Sequence, residues 1–158
     1  MSKKLKIYVL MLSREFSKTH PRAGEPTDFK SKKEEGVKKH TIRGNVELWE
    51  RRAEEINAGR AILSVRQWSG KPYEPGSHQI EIGRHTKLGT QRVTLNFRAP
   101  WNRFIGVHQD SGDIHYPTFV DVAQNDGLSF DDFVSWFQTD KKNKNFHGVI
   151  LHFSDLRY

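Results

Sequence analysis

A chain of 158 residues can bury a core without staples, and it reads as one domain spanning 1–158. It holds no cysteine, which excludes a disulfide framework and a thiolate metal site. Its net charge of +7 is unevenly spread: residues 1–109 carry 22 Lys/Arg against 11 Asp/Glu, and 110–158 carry 4 against 8. Such a basic body fits a polyanion-facing surface, although ordinary solvated charge explains it about equally well.

Residues 5–13 (LKIYVLMLS) form an apolar run too short for a membrane span and without a small-residue cleavage site. They read as a central first strand of a cytoplasmic protein, not as a signal peptide. Residues 14–36 are polar, broken by Pro21, Gly24 and Pro26, with a short helix capped by Thr27 or Asp28 and stopped at Gly36. A strand over 39–43 follows. Next comes a helix over 45–59, with Asn45 as cap, Val46, Trp49, Ala53 and Ile56 at helical spacing, and Gly59 as stop.

A strand is predicted at 61–68, then a Pro/Gly loop over 69–77, then strands at 79–82, 92–97 and 103–109. The run Asp110-Ser111-Gly112-Asp113 predicts a hairpin turn into 114–116. Helical pieces are expected over 118–124 and 129–138, the second capped by Ser129 and buried through Phe130, Phe133, Val134 and Phe137. A turn rich in lysine (Lys141, Lys142, Lys144) leads to a last strand over 148–153. Many strands and few helices predict an α+β fold: a small curved or closed sheet with helices at its ends.

The segment Gly36-Val37-Lys38-Lys39-His40-Thr41-Ile42-Arg43 carries the functional reading. Strand alternation sets His40 and Ile42 on one face and Thr41 and Arg43 on the other. Two lysines, a hydroxyl and a guanidinium gathered there suit phosphate or a nucleobase better than a core. Arg66 and Lys71 extend the basic track, and Trp68 and Tyr73 are candidate stacking platforms for an unpaired base. Plain packing at a strand end is the competing reading for both aromatics.

Three features, in order along the chain, resemble the ASCH domain (activating signal cointegrator homology) of the PUA-like superfamily. They are Gly36-x-Lys38-x-x-Thr41-x-Arg43, then Trp68-Ser69-Gly70, then Ala123-Gln124-Asn125-Asp126-Gly127 followed by Phe146-His147-Gly148 and a strand ending at Phe153. The resemblance implies a small β-barrel of about five to six strands with flanking helices and a basic cleft facing RNA or modified nucleobases. Small bacterial members are amidohydrolases of N4-acetylcytidine that use lysine, a threonine nucleophile and glutamate. Position by position these fall on Lys38, Thr41 and Asp126, where the carboxylate is one methylene, about 1.5 Å, shorter.

Three functions are therefore expected in descending order. The first is binding of RNA, other single-stranded nucleic acid or a nucleoside through Lys38, Lys39, His40, Arg43, Arg66, Trp68, Lys71 and Tyr73. The second is amidohydrolysis of a modified base by Lys38, Thr41 and Asp126, against which turn chemistry by itself accounts for Asp126-Gly127. The third is a metal-free ribonuclease using histidines such as His40, although no spacing pairs them and His152 reads as structural. No metal or cofactor is expected, because neither an HExxH helix nor a phosphate-binding glycine loop is present.

Overall fold

The computed structural model describes residues 4–98, 103–138 and 145–158. The lysine-rich turn expected at Lys141, Lys142 and Lys144 lies outside the described residues. The elements run β1 (Lys6–Met11), α1 (Phe29–Glu34), β2 (His40–Arg43), α2 (Val46–Asn57), β3 (Ala61–Trp68), β4 (Gln79–His85), β5 (Gly89–Asn96), β6 (Phe104–His108), β7 (Ile114–His115), α3 (Phe119–Asn125), α4 (Phe130–Phe137) and β8 (Asn145–His152).

The fold is α+β. Its strands form a sheet of three, in the order β1-β3-β4, and a sheet of five, in the order β2-β8-β5-β6-β7. Among the described residues no pairing joins the two sheets, so no closed barrel of five or six strands forms. Apolar residues from both sheets and all four helices merge into one buried cluster, including Phe29, Ile56, Leu63, Leu95, Val122, Phe133 and Ile150. No helix among the described residues is long and apolar enough to cross a membrane.

Several helix ends obey local chemistry. The Thr118 hydroxyl accepts the Asp121 N–H, and the Ser129 hydroxyl accepts the Asp132 N–H, capping α3 and α4. In α2 the residues Trp49, Ala53 and Ile56 are buried at helical spacing, although Asn45 makes no side-chain cap. At α1 the cap is divided: Asp28 takes a left-handed conformation without capping, while the Thr27 hydroxyl donates to the Ser13 carbonyl at 2.7 Å. Thr27 thus ties the start of α1 to the end of β1.

Two expectations are corrected. β1 is not central: it pairs only with β3, in parallel, and Ile7 is 49% exposed. Apolar content told of one buried face, not of a place inside the sheet. β4 and β5 are also longer than expected, because Gly83 and Gly89 continue the strands. A Cβ at Gly83 would stand 2.5 Å from Lys33 Nζ, and one at Gly89 would collide with the Arg157 guanidinium. These glycines admit cationic side chains and do not break strands.

Candidate functional site

The segment between α1 and β2 is clamped at three points. Both Val37 and Lys38 N–H groups donate to the Lys32 carbonyl, at 2.8 and 2.9 Å, and the Lys39 N–H donates to the Asn125 carbonyl at 2.7 Å. This turn sends the Lys38 side chain inward, leaving it 2% exposed. Its ammonium donates to the Asp126 carbonyl at 2.6 Å and to Asp126 Oδ1 at 3.2 Å. It also lies 4.1 Å from the centre of the Phe29 ring.

Asp126 ends α3 and is 3% exposed, and Gly127 reverses the chain at φ +81°. A Cβ on Gly127 would lie 3.2 Å from the Lys38 Cβ. Turn geometry therefore accounts for the glycine alone. The aspartate is buried against a lysine, which a solvent-facing turn residue would not be.

Thr41 is 3% exposed, on a strand covered on both faces. Together with Lys38, Arg43 and Asp126 it lines a narrow recess walled by Phe29 and Trp136. The free space there is about 10 Å³, room for about one water molecule. The Thr41 hydroxyl makes no side-chain hydrogen bond among the described residues. Arg43 Nη2 donates to the Met11 carbonyl at 2.6 Å and so links the two sheets.

Burial pushes the Lys38 ammonium down from its ordinary range; the Asp126 carboxylate opposes this, and the Arg43 charge adds to it. Burial likewise lowers Arg43. One carboxylate thus stands near a buried ammonium and a half-buried guanidinium. The positive excess suits a ligand oxygen that gathers negative charge.

A chain of hydrogen bonds backs the carboxylate. His40 Nδ1 lies 3.2 Å from Asp126 Oδ1, and its Nε2 lies 2.6 Å from the Tyr158 hydroxyl. Asn125 Nδ2 donates to the same hydroxyl at 3.0 Å. The consistent assignment has Tyr158 donating to His40 Nε2 and His40 Nδ1–H donating to Asp126. Burial raises the Tyr158 phenol to about 12, so it keeps the proton that it donates.

A second, larger recess of about 390 Å³ shares two lining residues, Leu12 and Ser13, with the first. Trp68, Lys71 and Tyr73 line it, with the two aromatic rings 4.9 Å apart. Tyr73 is 88% exposed and held at φ 64°. A bulky residue in the left-handed region is strained, and such strain is concentrated at binding sites.

The structure thus gathers Lys38, Thr41, Arg43 and Asp126 at one recess and Trp68, Lys71 and Tyr73 at its neighbour. Three sequence candidates fall elsewhere. Lys39 is exposed and lines a different recess. His40 is fully buried behind Asp126, out of reach of a ligand. Arg66 donates to the Ser64 hydroxyl and to Gln79 Oε1 and lines neither recess. The expected grouping of both lysines with Thr41 and Arg43 is therefore corrected: Lys38 and Lys39 border one recess, but only Lys38 also reaches the recess that Thr41 and Arg43 line, and the Lys39 side chain is exposed.

The sequence reading also missed Phe29, Trp136 and Tyr158. Trp136 lies one position from the predicted apolar stripe of α4, so a broader stripe would have included it. Tyr158 carried no local signal. His152, expected as a satisfied structural histidine, is only half paired: Nε2 meets Gln91 Oε1 at 2.9 Å, Nδ1 is buried without a partner among the described residues, and burial lowers its pKa to about 3. Among the described residues, no group of three or more His, Cys, Asp or Glu side chains is placed to hold a metal ion. No protein-family profile, curated protein or solved structure matches the chain.

Proposed function

We propose that this chain is an ASCH-type, PUA-like domain that hydrolyses an amide on a modified nucleobase, with Thr41 as nucleophile, Lys38 as base and Asp126 as the group that positions Lys38. The observation that carries the reading is the burial of Lys38 against Asp126 in the recess that Thr41 lines. A solvated surface lysine would need neither partner nor recess. In this reading the two sheets are the facing halves of the superfamily's barrel. The base stacks on the exposed face of the Trp68–Tyr73 pair, whose ring centres already lie 4.9 Å apart, and its acylated exocyclic nitrogen points past Ser13 toward Thr41.

The chemistry runs as acyl transfer. Thr41 Oγ1 attacks the acyl carbon while the neutral Lys38 amine takes its proton. Burial and the Arg43 charge favour that neutral amine. The tetrahedral oxyanion forms within the field of the Arg43 guanidinium. Its collapse breaks the C–N bond, and the Lys38 ammonium returns the proton to the leaving nitrogen. Water then attacks the acyl-threonine, giving a proton to Lys38, and the released Thr41 oxygen recovers one.

Incubation with N4-acetylcytidine, followed by chromatography of released cytidine, tests the reading. Turnover by the native protein is expected, with Lys38→Met lowering it by about 100-fold or more. No release by the native protein would overturn it. One observation favours a second reading, binding without turnover: the inner recess has room for only about one water. In that case cytidine quenches Trp68 fluorescence and no acyl transfer occurs.

A further inference from the structure

A third recess, of about 470 Å³, opens where α1 ends and the chain leaves β8. Lys33, Lys39, His85, Phe153 and Ser154 line it, and its lining holds no carboxylate. Lys33 Nζ lies 2.8 Å from His85 Nε2 and 4.8 Å from the centre of the Phe153 ring. His85 stacks on the same ring, with centroids 5.2 Å apart and planes 19° apart. Gly83 provides the space, since a Cβ there would meet the Lys33 ammonium at 2.5 Å.

The arrangement sets an ammonium against an imidazole where an ion pair would have a carboxylate. An ammonium only donates, so His85 Nε2 accepts and the ring is neutral, with its proton on Nδ1. That Nδ1–H has no protein partner among the described residues. Lys39 is exposed beside it, and the Ser154 hydroxyl, which accepts the Leu156 N–H at 3.3 Å, has its own proton free to donate. Burial lowers both Lys33 and His85, the latter to about 4, with the Lys33 charge adding to the effect on His85. Glu34, at the end of α1, is the carboxylate whose charge reaches Lys33, and it does not line the recess. Four side chains that carry donors thus line one recess whose lining has no group of full negative charge.

We propose that this recess binds a phosphate group, held by Lys33, Lys39, the Ser154 hydroxyl and His85 Nδ1–H. Lys38 borders both this recess and the inner one, but its ammonium is turned to Asp126, and the phosphate site does not depend on the amide chemistry. A terminal phosphate of a nucleotide and a phosphodiester of a nucleic-acid strand share this chemistry.

Imidazole NMR signals of the isotopically labelled full chain, at constant ionic strength and neutral pH, test the site with inorganic phosphate, a mononucleotide and a short oligonucleotide. The expected result is a saturable shift of the His85 signals, with Kd on the order of 1 mM for inorganic phosphate. The pKa of His85 should rise toward its ordinary value, because the anion offsets the Lys33 charge. Stronger binding of the mononucleotide identifies a terminal phosphate; stronger binding of the oligonucleotide identifies a diester. Lys33→Met and Lys39→Gln should each weaken binding by roughly tenfold. The exposed Lys39→Gln keeps the test decisive if Lys33→Met folds poorly. His85 signals that move no further with any of the three probes than with chloride, or binding unchanged in both variants, would overturn the assignment.

Discussion

Replacing Asp126 by Asn removes one charge from the buried pair and leaves its shape. Lys38, 2% exposed, then has no carboxylate partner. Breaking a buried ion pair from one side costs about 3–5 kcal/mol. The structure sets a ceiling of similar size, because the lysine can give up its proton instead. Bringing it from its ordinary 10.5 to neutrality at pH 7 costs about 5 kcal/mol.

The sign of the pH dependence follows. The folded pKa of Lys38 lies below its unfolded value, so the unfolded chain binds more protons between the two, and stability rises with pH. The loss in the Asn variant should shrink to about 2 kcal/mol near pH 9. Adding Lys38→Met removes the orphaned charge, and the double variant should be more stable at neutral pH than Asp126→Asn alone. Urea titration followed by tryptophan fluorescence at both pH values measures all of this. A single-variant loss below about 1 kcal/mol, or a double variant less stable than the single, would refute the buried-pair argument.

Other consequences are smaller. Gly127→Ala forces a side chain into φ +81° and against the Lys38 Cβ, and should lower stability by about 1–3 kcal/mol in a thermal melt. Tyr158→Phe leaves His40 Nε2 and Asn125 Nδ2 without their shared partner, a loss of about 1–3 kcal/mol by denaturant titration. Tyr73→Gly relieves the strain at φ 64° and should stabilise the fold by about 1 kcal/mol while weakening nucleoside binding by fluorescence quenching. His152, held down to about 3 by burial, stays neutral, so its NMR signals should not titrate between about pH 8 and pH 5. Its stabilising preference for the neutral ring is full above its ordinary 6.5 and declines as pH falls toward 3.

What the sequence disclosed follows from the range of the forces involved. The helix over 45–59 and the caps at Ser129 and the hairpin turn at Gly112 were legible because they rest on local periodicity and turn chemistry. The grouping of Lys38, Thr41 and Asp126 was drawn only through an ordered resemblance, since Thr41 and Asp126 stand 85 positions apart in the sequence. Local rules assigned Asp126 to its turn and could not show the lysine buried against it. Grouping the two lysines went against alternation, under which adjacent residues face opposite ways, and three main-chain hydrogen bonds hold the segment with Lys38 buried and Lys39 exposed. The role of His40 depends on Tyr158, a contact that no local pattern encodes.

Rapid-quench mass spectrometry during turnover of N4-acetylcytidine tests the proposed chemistry most directly. The account predicts an acetyl group on the peptide bearing Thr41, absent from Thr41→Val, which should also release no cytidine. Cytidine release that survives in Thr41→Val would contradict it.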